Sequence, residues 1–542
     1  MVTTISSSIL GVLLFIGLCS FSSATHFRGA IFTWNPTSQA NEIEISWRIS
    51  WRRSYSTNLY CDASTIANEV LLPGAGTLAC DSSCLDSVPL NFYCTDFSEN
   101  EDWTSGVRTV IRNSSTPLFE MSFTGGDWIS SLIIGADGNW ALKMSVNLTM
   151  RHDTGMPNSS PISSITPIVR LQYGCNHTLV IPVTDPDGDT VRCRWAVGHR
   201  ECSDVCSGFP NAVLDEATCT ITYQAKYQTG WYAVALMIED FGSPLSTLPL
   251  SQIPLQFLVD VYSNIMPCSS APYFVDPTPK DGACIAVPEN ETYLQAIVAD
   301  SGMDGSGISE IVTVSPFGFS KSEVGQVQSD NRLFYVNLTW TPTKQQEGEN
   351  ILCFTAENTE GVSSPQSCIT LVAGMTSPAI IPELLEPKPG DKIVSNHSTW
   401  RMTFDKEFVR PTKQTFIRFY NGNGSLVYSI DVSSSPDAVY EPMTDRSITF
   451  MTNGLQFLEK QSYYILMDAG VATGLEACGS ESSIIRDRFF WTFTIYTPAC
   501  ECFNGGTCLT NHDSTSTCQC PYGFVGPNCK RVVGYCAYCA QP

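Results

Sequence analysis

Basic residues are scarce in this chain: 30 Lys and Arg stand against 53 Asp and Glu, a formal net charge of −23. No basic patch exists to neutralise phosphates, which leaves nucleic acid without a docking surface. The negative balance does not come from acidic runs, because only 15% of the chain is charged. It serves solubility, or it attracts calcium or a basic partner. Histidine is rarer still, limited to His26, His152, His177, His199, His397 and His512. No Gly-x-Ser-x-Gly elbow, His-Glu-x-x-His helix or phosphate loop occurs, so the sequence reads as non-enzymatic. Long helical periodicity is missing. The one apolar run, residues 9–18, is too short to span a bilayer, and the Val532-Val533-Gly534 tail is too short for an anchor. No membrane insertion is expected.

Cysteine, by contrast, is abundant, with 23 residues. Residues 9–18 have the length of a signal-peptide core, and Ser22-Ser23-Ala24 suits cleavage before Thr25, although no Lys or Arg precedes Arg28. Cys19 falls inside that signal (1–24). The mature chain keeps an even twenty-two, as disulfide pairing in an oxidising compartment requires. Eight glycosylation sequons agree with export: Asn113, Asn147, Asn158, Asn176, Asn290, Asn337, Asn396 and Asn423. Strand periodicity tests two of them. Trp140, Leu142, Met144, Val146, Leu148 and Met150 share one face, which puts Asn147 on the other; Phe334, Val336, Leu338 and Trp340 likewise leave Asn337 outside. The expected location is secreted and extracellular.

The pattern is all-β. Residues 43–51, 232–238 and 490–495 alternate in hydrophobicity, separated by turn clusters such as Pro186-Asp-Gly188 and Asn421-Gly-Asn-Gly424. Proline-rich joints at 157–167, 272–279 and 378–389 divide the chain into an N-terminal β-rich domain (25–156) and units at 157–266, 267–375 and 376–497. A cysteine-dense segment (498–530) and a Cys-containing tail (531–542) follow. The two middle units read as a degenerate repeat. Each runs through a polar turn to a glycine, Gly230 or Gly348, and then into a long apolar strand.

Three resemblances extend this reading. The C-x-C-F-N-G-G-T-C and C-x-C-P-Y-G-F-V-G-P-N-C strings around Cys500, Cys502, Cys508, Cys518, Cys520 and Cys529 resemble an EGF-like domain. Spacing alone cannot choose the connectivity; the resemblance implies Cys500–Cys508, Cys502–Cys518 and Cys520–Cys529. It also makes Thr507 an O-fucose candidate, while Val525 stands where an O-GlcNAc acceptor would need Ser or Thr. The acidic stretch that precedes calcium-binding EGF domains is missing. Val183-Thr-Asp-Pro-Asp-Gly-Asp-Thr-Val191 resembles cadherin-like and polycystic-kidney-disease-type Ig modules, and Trp340-Thr-Pro-Thr is similar to Ig-like modules of adhesion proteins. Residues 376–497, with Pro389-Gly390 and Met402-Thr-Phe-Asp405, resemble the bacterial-type Ig-like domain of surface-layer proteins. Residues 25–156 resemble no named module. The expected fold is tandem Ig-like and cadherin-like β-sandwiches, with an N-terminal β domain and a small disulfide-rich EGF-like module.

Asp185, Asp187 and Asp189 are the metal candidates, because oxygen ligands spaced two apart on a turn can converge on one Ca²⁺. Glu239 or Asp240 could add a carboxylate from a neighbouring strand end; the EF-hand pattern is not met. The alternative is that Pro186-Asp-Gly188 is simply a good turn. Asp300 and Asp304 hold a similar place in the next unit, with Gly and Ser between them. His199, Cys193, Cys202, Cys206 and Cys219 could be drawn as a zinc site, but an exported chain makes disulfides the expectation. Cys536-Ala-Tyr-Cys539 lacks the βαβ context of a redox motif. Arg52-Arg53 with Tyr55 reads as a solvated strand end. The functional expectation is a non-enzymatic secreted glycoprotein of extracellular matrix or cell surface, mediating adhesion or scaffolding with protein or glycan partners. No cofactor is expected beyond calcium. Alternatives are a mineral-associated acidic matrix protein and a hydrolase hidden in 25–156.

Overall fold

The computed structural model describes residues 26–81, 84–496, 501–510 and 516–533. The expected signal peptide, Cys500, His512 and the Cys536/Cys539 pair lie outside these residues. The chain is nearly all β, 46% strand and 4% helical, built as β-sandwiches in series. No helix among the described residues is long and apolar enough to cross a membrane.

Strand Phe27–Pro36 sets the architecture, because it pairs antiparallel with Glu42–Arg52 on one side and with Ser251–Tyr262 on the other. Ser251–Tyr262 in turn pairs with Gly230–Phe241, lies parallel to Ile168–Gln172 and touches Trp140–Asn147. The expected break near residue 157 is therefore crossed by one 13-stranded sheet and by one hydrophobic core that runs from Phe27 to Val261 and also takes in Val312 of the next unit. Burial explains the union. Residues 232–238 read as an alternating strand, yet Gly230–Phe241 is buried at every position from Tyr232 onward. A strand covered on both faces belongs in the middle of a sheet, not on an exposed one. Residues 26–262 are thus one body.

The next unit is a sandwich. Strands Tyr293–Asp300 and Leu333–Trp340 face Ile308–Val314, Gly348–Asn358 and Ser367–Ala373, around Ile297, Val336, Trp340, Leu352 and Leu371. Cys353 and Cys368 sit directly opposite on adjacent strands and form a disulfide within one sheet. The long strands of both expected repeats do begin at glycines with positive φ, Gly230 at +134° and Gly348 at +101°. A further sandwich packs Trp400, Phe419, Phe450, Trp491 and Phe493 between its sheets.

The cysteine-dense segment consists of two short hairpins, Thr507–Thr510 with Ser516–Gln519 and Phe524–Val525 with Arg531–Val532. Disulfides join Cys502 to Cys518 and Cys520 to Cys529; Cys508 is also disulfide-bonded. A Cβ on Gly506 would come within 2.7 Å of Cys529 Sγ, so the crosslink can pass only a glycine there.

Candidate functional site

The Asp185 turn is built from its own side chain. Asp185 Oδ1 accepts the amides of Asp187 (2.9 Å) and Asp189 (3.1 Å), and its carbonyl accepts that of Gly188 (3.0 Å). Strand Thr190–Trp195 leaves the turn with Val191 opposite Asp240. That register carries the end of strand Gly230–Phe241 up to the turn. Carboxylate oxygens of Asp185, Asp189 and Asp240 come within 4.8 Å of one another.

The other two expected ligands do not join that cluster, although Asp187 lies 3.8 Å from Arg151 Nη1. Asp187 is exposed and accepts the Ser159 amide at 2.6 Å. Glu239 precedes Asp240 on a strand, so it points to the opposite face. There it accepts from Arg194 Nε (2.8 Å) and Gln252 Nε2 (2.5 Å). Three of the five candidates are brought together and two are not.

Two residues not anticipated from sequence complete the knot. Arg151, its side chain only 7% exposed, donates through both Nη atoms to Asp189. It also reaches Asp153 through Nε (3.0 Å) and Nη2 (2.8 Å), and Asn158 Oδ1 through Nη1 (2.9 Å). Asn158 donates onward to Asp240 Oδ2 (2.6 Å), while Ser251 donates its amide (2.7 Å) and hydroxyl (2.6 Å) to Asp240 Oδ1. Nothing in the sequence around Arg151 marks it, because its partners are as distant as residue 189.

The guanidinium does not serve all the carboxylates equally. It holds Asp153 down to about 2. Burial pushes Asp185 up to about 7, with the negative charges of Asp240 and Asp189 adding to the rise, and burial also raises Asp240. Asp185 Oδ2 is buried with no hydrogen-bond partner.

Asn158 corrects the sequon reading at one position. It is 2% exposed, and Nδ2 is committed to Asp240 and the Ser159 carbonyl (2.7 Å). A glycan on that nitrogen has no space in this fold. We expect glycopeptide mass spectrometry to find Asn158 bare and the exposed Asn337 and Asn423 occupied; a glycan at Asn158 in the folded protein would contradict the packing. Asn113, Asn176 and Asn290 are exposed; Asn147 and Asn396 are half-buried.

The remaining candidates are otherwise engaged. Cys193 pairs with Cys219 and Cys202 with Cys206, leaving His199 against Ser203 Oγ at 3.2 Å. Arg332 binds Asp300 (2.6 Å) and Asp304 (3.2 Å), so an arginine fills that place in the next unit too. Arg52 pairs with Asp102 (2.9 Å) and Arg53 with Glu99 (3.0 Å), while Tyr55 stacks on His26 at 4.3 Å. Thr507 is exposed. Nine disulfides among the described residues fit an oxidising, extracellular or cell-surface setting.

Residues 28–149 match the family described as "Integrin beta-like protein A-E, N-terminal". The region that resembled no named module is therefore similar to the N-terminal part of those proteins. Integrin beta-like protein A of Dictyostelium discoideum is 24% identical over 323 residues, covering 52% of this chain and 16% of that protein. Integrin beta-like protein C of the same organism is 28% identical over 179 residues, covering 32% of this chain and 9% of the other. The chain thus spans less than a fifth of the length of these relatives. Among solved structures, Drosophila N-cadherin EC1-3 is 11% identical with a TM-score of 0.17, covering 61% of this chain and 98% of that one. The insect immune protein hemolin is 11% identical with a TM-score of 0.13, covering 62% and 76%.

Proposed function

We propose that this chain is a non-enzymatic, extracellular adhesion protein whose 26–262 body docks protein or glycan partners. The observation that carries this reading is the similarity of residues 28–149 to the N-terminal region of integrin beta-like proteins. That region is fused by sheet and core to the residues that follow, so a partner pulling on the body loads one folded unit rather than a flexible joint. The disulfide-rich C-terminal module acts as a stiff spacer or contact. Beads coated with the full chain should adhere saturably to cells or extracellular matrix and be displaced by soluble protein. Adhesion no greater than that of albumin-coated beads would reject the reading.

A second reading belongs to the knot: Asp185, Asp189 and Asp240 hold a calcium ion. The unpartnered, buried Asp185 Oδ2 favours it. So does the span of the three carboxylates, since two ligands across one Ca²⁺ stand roughly 4.6–5.2 Å apart. The chain's own residues orient the donors, and Arg151 competes for Asp189. Calorimetric titration of the full chain should give heat with millimolar Ca²⁺, abolished in Asp185→Asn. Binding should strengthen from pH 6 to pH 8, because Asp185 must lose its proton to ligate. Absence of heat at millimolar calcium removes the site.

A further inference from the structure

The two junctions that flank the 273–373 sandwich are built differently. Toward the body, apolar packing is continuous. Val312 belongs to the body's core, and Ile162 of the body packs on Val314, Ile351, Cys353 and Cys368. Buried Asp96 reinforces that seam by accepting from Thr313 Oγ1 (2.7 Å), Ser315 Oγ (2.6 Å) and the Ser315 amide (2.8 Å). Such a seam holds by burial. Toward the 380–495 sandwich, no buried hydrophobic cluster among the described residues draws members from both sides. Polar contacts cross instead. The Glu481 amide donates to the Cys284 carbonyl (2.8 Å), Lys413 donates to the Gly282 carbonyl, and Lys280 pairs with Asp468 (3.5 Å). The covalent tie is the Cys284–Cys478 disulfide, which joins residues 194 apart.

The two ends of that bridge differ. Cys284 opens strand Cys284–Val287 and is buried. Cys478 is exposed, in a turn closed by the Gly479 amide on the Glu476 carbonyl (3.0 Å). Of the nine bridges between described residues, two include an exposed cysteine: this one, through Cys478, and Cys175–Cys268, through Cys268. Cys193–Cys219 and Cys353–Cys368 are buried at both ends. A thiolate must reach a sulfur to exchange with it, so access ranks these bridges.

We propose that Cys478 is a thiol-exchange site, at which an extracellular dithiol opens the Cys284–Cys478 bridge and frees the 380–495 sandwich from the 273–373 sandwich. One thiolate of the dithiol attacks the Cys478 sulfur. The Cys284–Cys478 bond breaks, and Cys284 leaves as a thiolate that takes up a proton. The second thiol of the reductant then attacks its own sulfur in the mixed disulfide and releases Cys478 as a thiol. Two electrons pass from the dithiol to the bridge, and the dithiol departs as a disulfide. The body and the 273–373 sandwich stay together, because their shared packing contains no sulfur that the reagent can reach. Reduction therefore changes how the chain beyond residue 374 is held without unfolding the part before it.

Cys175–Cys268 supplies the internal comparison. Its exposed cysteine should react too, but it ties the segment after Tyr262 to a body already joined to the next sandwich by Val312, Ile162 and Asp96. Opening it should leave that seam intact.

The test is native reduction of the full chain with millimolar dithiothreitol at neutral pH, quenched by alkylation at intervals and read by peptide mass spectrometry. Cys284 and Cys478 should be alkylated at least about tenfold faster than Cys193, Cys219, Cys353 and Cys368, because only the first pair offers an accessible sulfur. Hydrogen exchange on the chain reduced to that stage should show peptides covering 280–287 and 474–482 losing at least about tenfold in protection, while those covering 308–315 do not change. A chain with Cys284→Ser and Cys478→Ser should show the same loss with no reductant present. The proposal fails if the buried bridges open as fast as Cys284–Cys478. It fails equally if that bridge opens first and exchange at 280–287 and 474–482 stays as it was.

Discussion

Replacing Arg151 with methionine is expected to lower the stability of the 26–262 body by about 3–5 kcal/mol, the usual penalty for removing one partner of a buried ion pair. Methionine keeps most of the apolar stem and deletes the guanidinium, so the loss reports hydrogen bonds and charge rather than volume. Asp189, whose side chain is 7% exposed, would be left without its two-armed partner, and Asn158 Oδ1 without a donor. Asp153 is exposed and adds little. Arg151→Lys should fall between, since an ammonium can satisfy one carboxylate but not the forked set. Urea unfolding followed by tryptophan fluorescence checks both statements. A loss under about 1 kcal/mol would mean that the knot is held by the turn and the strand register alone.

That knot shows where the sequence could and could not be read. The turn at Asp185 was legible, because an aspartate two and four residues before free amides, followed by Pro-Asp-Gly, folds on local chemistry. Which of Glu239 and Asp240 faces it was not. Adjacent strand residues differ only in parity, and parity has meaning once the opposing strand is known. Asn158 fits a sequon as well as Asn337 does, but the alternation that places Asn337 outside exists only within a strand, and Asn158 sits in a joint. The same limit hid the fusion of 25–156 with 157–266. Phe27–Pro36 and Ser251–Tyr262 each look like ordinary strands, and their pairing across more than two hundred residues leaves no local mark. The even cysteine count predicted bridges, not that Cys284 would find Cys478 in the following unit.

That last bridge supports the second large prediction. Serine at both Cys284 and Cys478 should uncouple the 273–373 sandwich from the 380–495 sandwich and lower their joint stability by about 4–5 kcal/mol. The chain-entropy model gives this order for loops of a hundred residues or more, and this bridge joins residues 194 apart. What else joins the two units there is a set of polar contacts, among them bonds from Lys413 to the Gly282 carbonyl and from the Cys478 backbone to Glu349. Lys280–Asp468 (3.5 Å) and Arg486–Asp276 (3.4 Å) each include an exposed partner, and such pairs contribute roughly 0–1 kcal/mol. One backbone bond, from the Glu481 amide to the Cys284 carbonyl at 2.8 Å, depends on the bridge to hold its register. The two units report separately, since Trp340 is buried in the first and Trp400 and Trp491 in the second. With the bridge intact, urea should unfold both in one transition, because neither can open without straining the loop that ties it to the other. Without it, the better-packed aromatic core of the second sandwich should survive to higher urea and the transition should split. A single transition at unchanged urea in the double-serine protein would show that packing, not the crosslink, makes the pair cooperative.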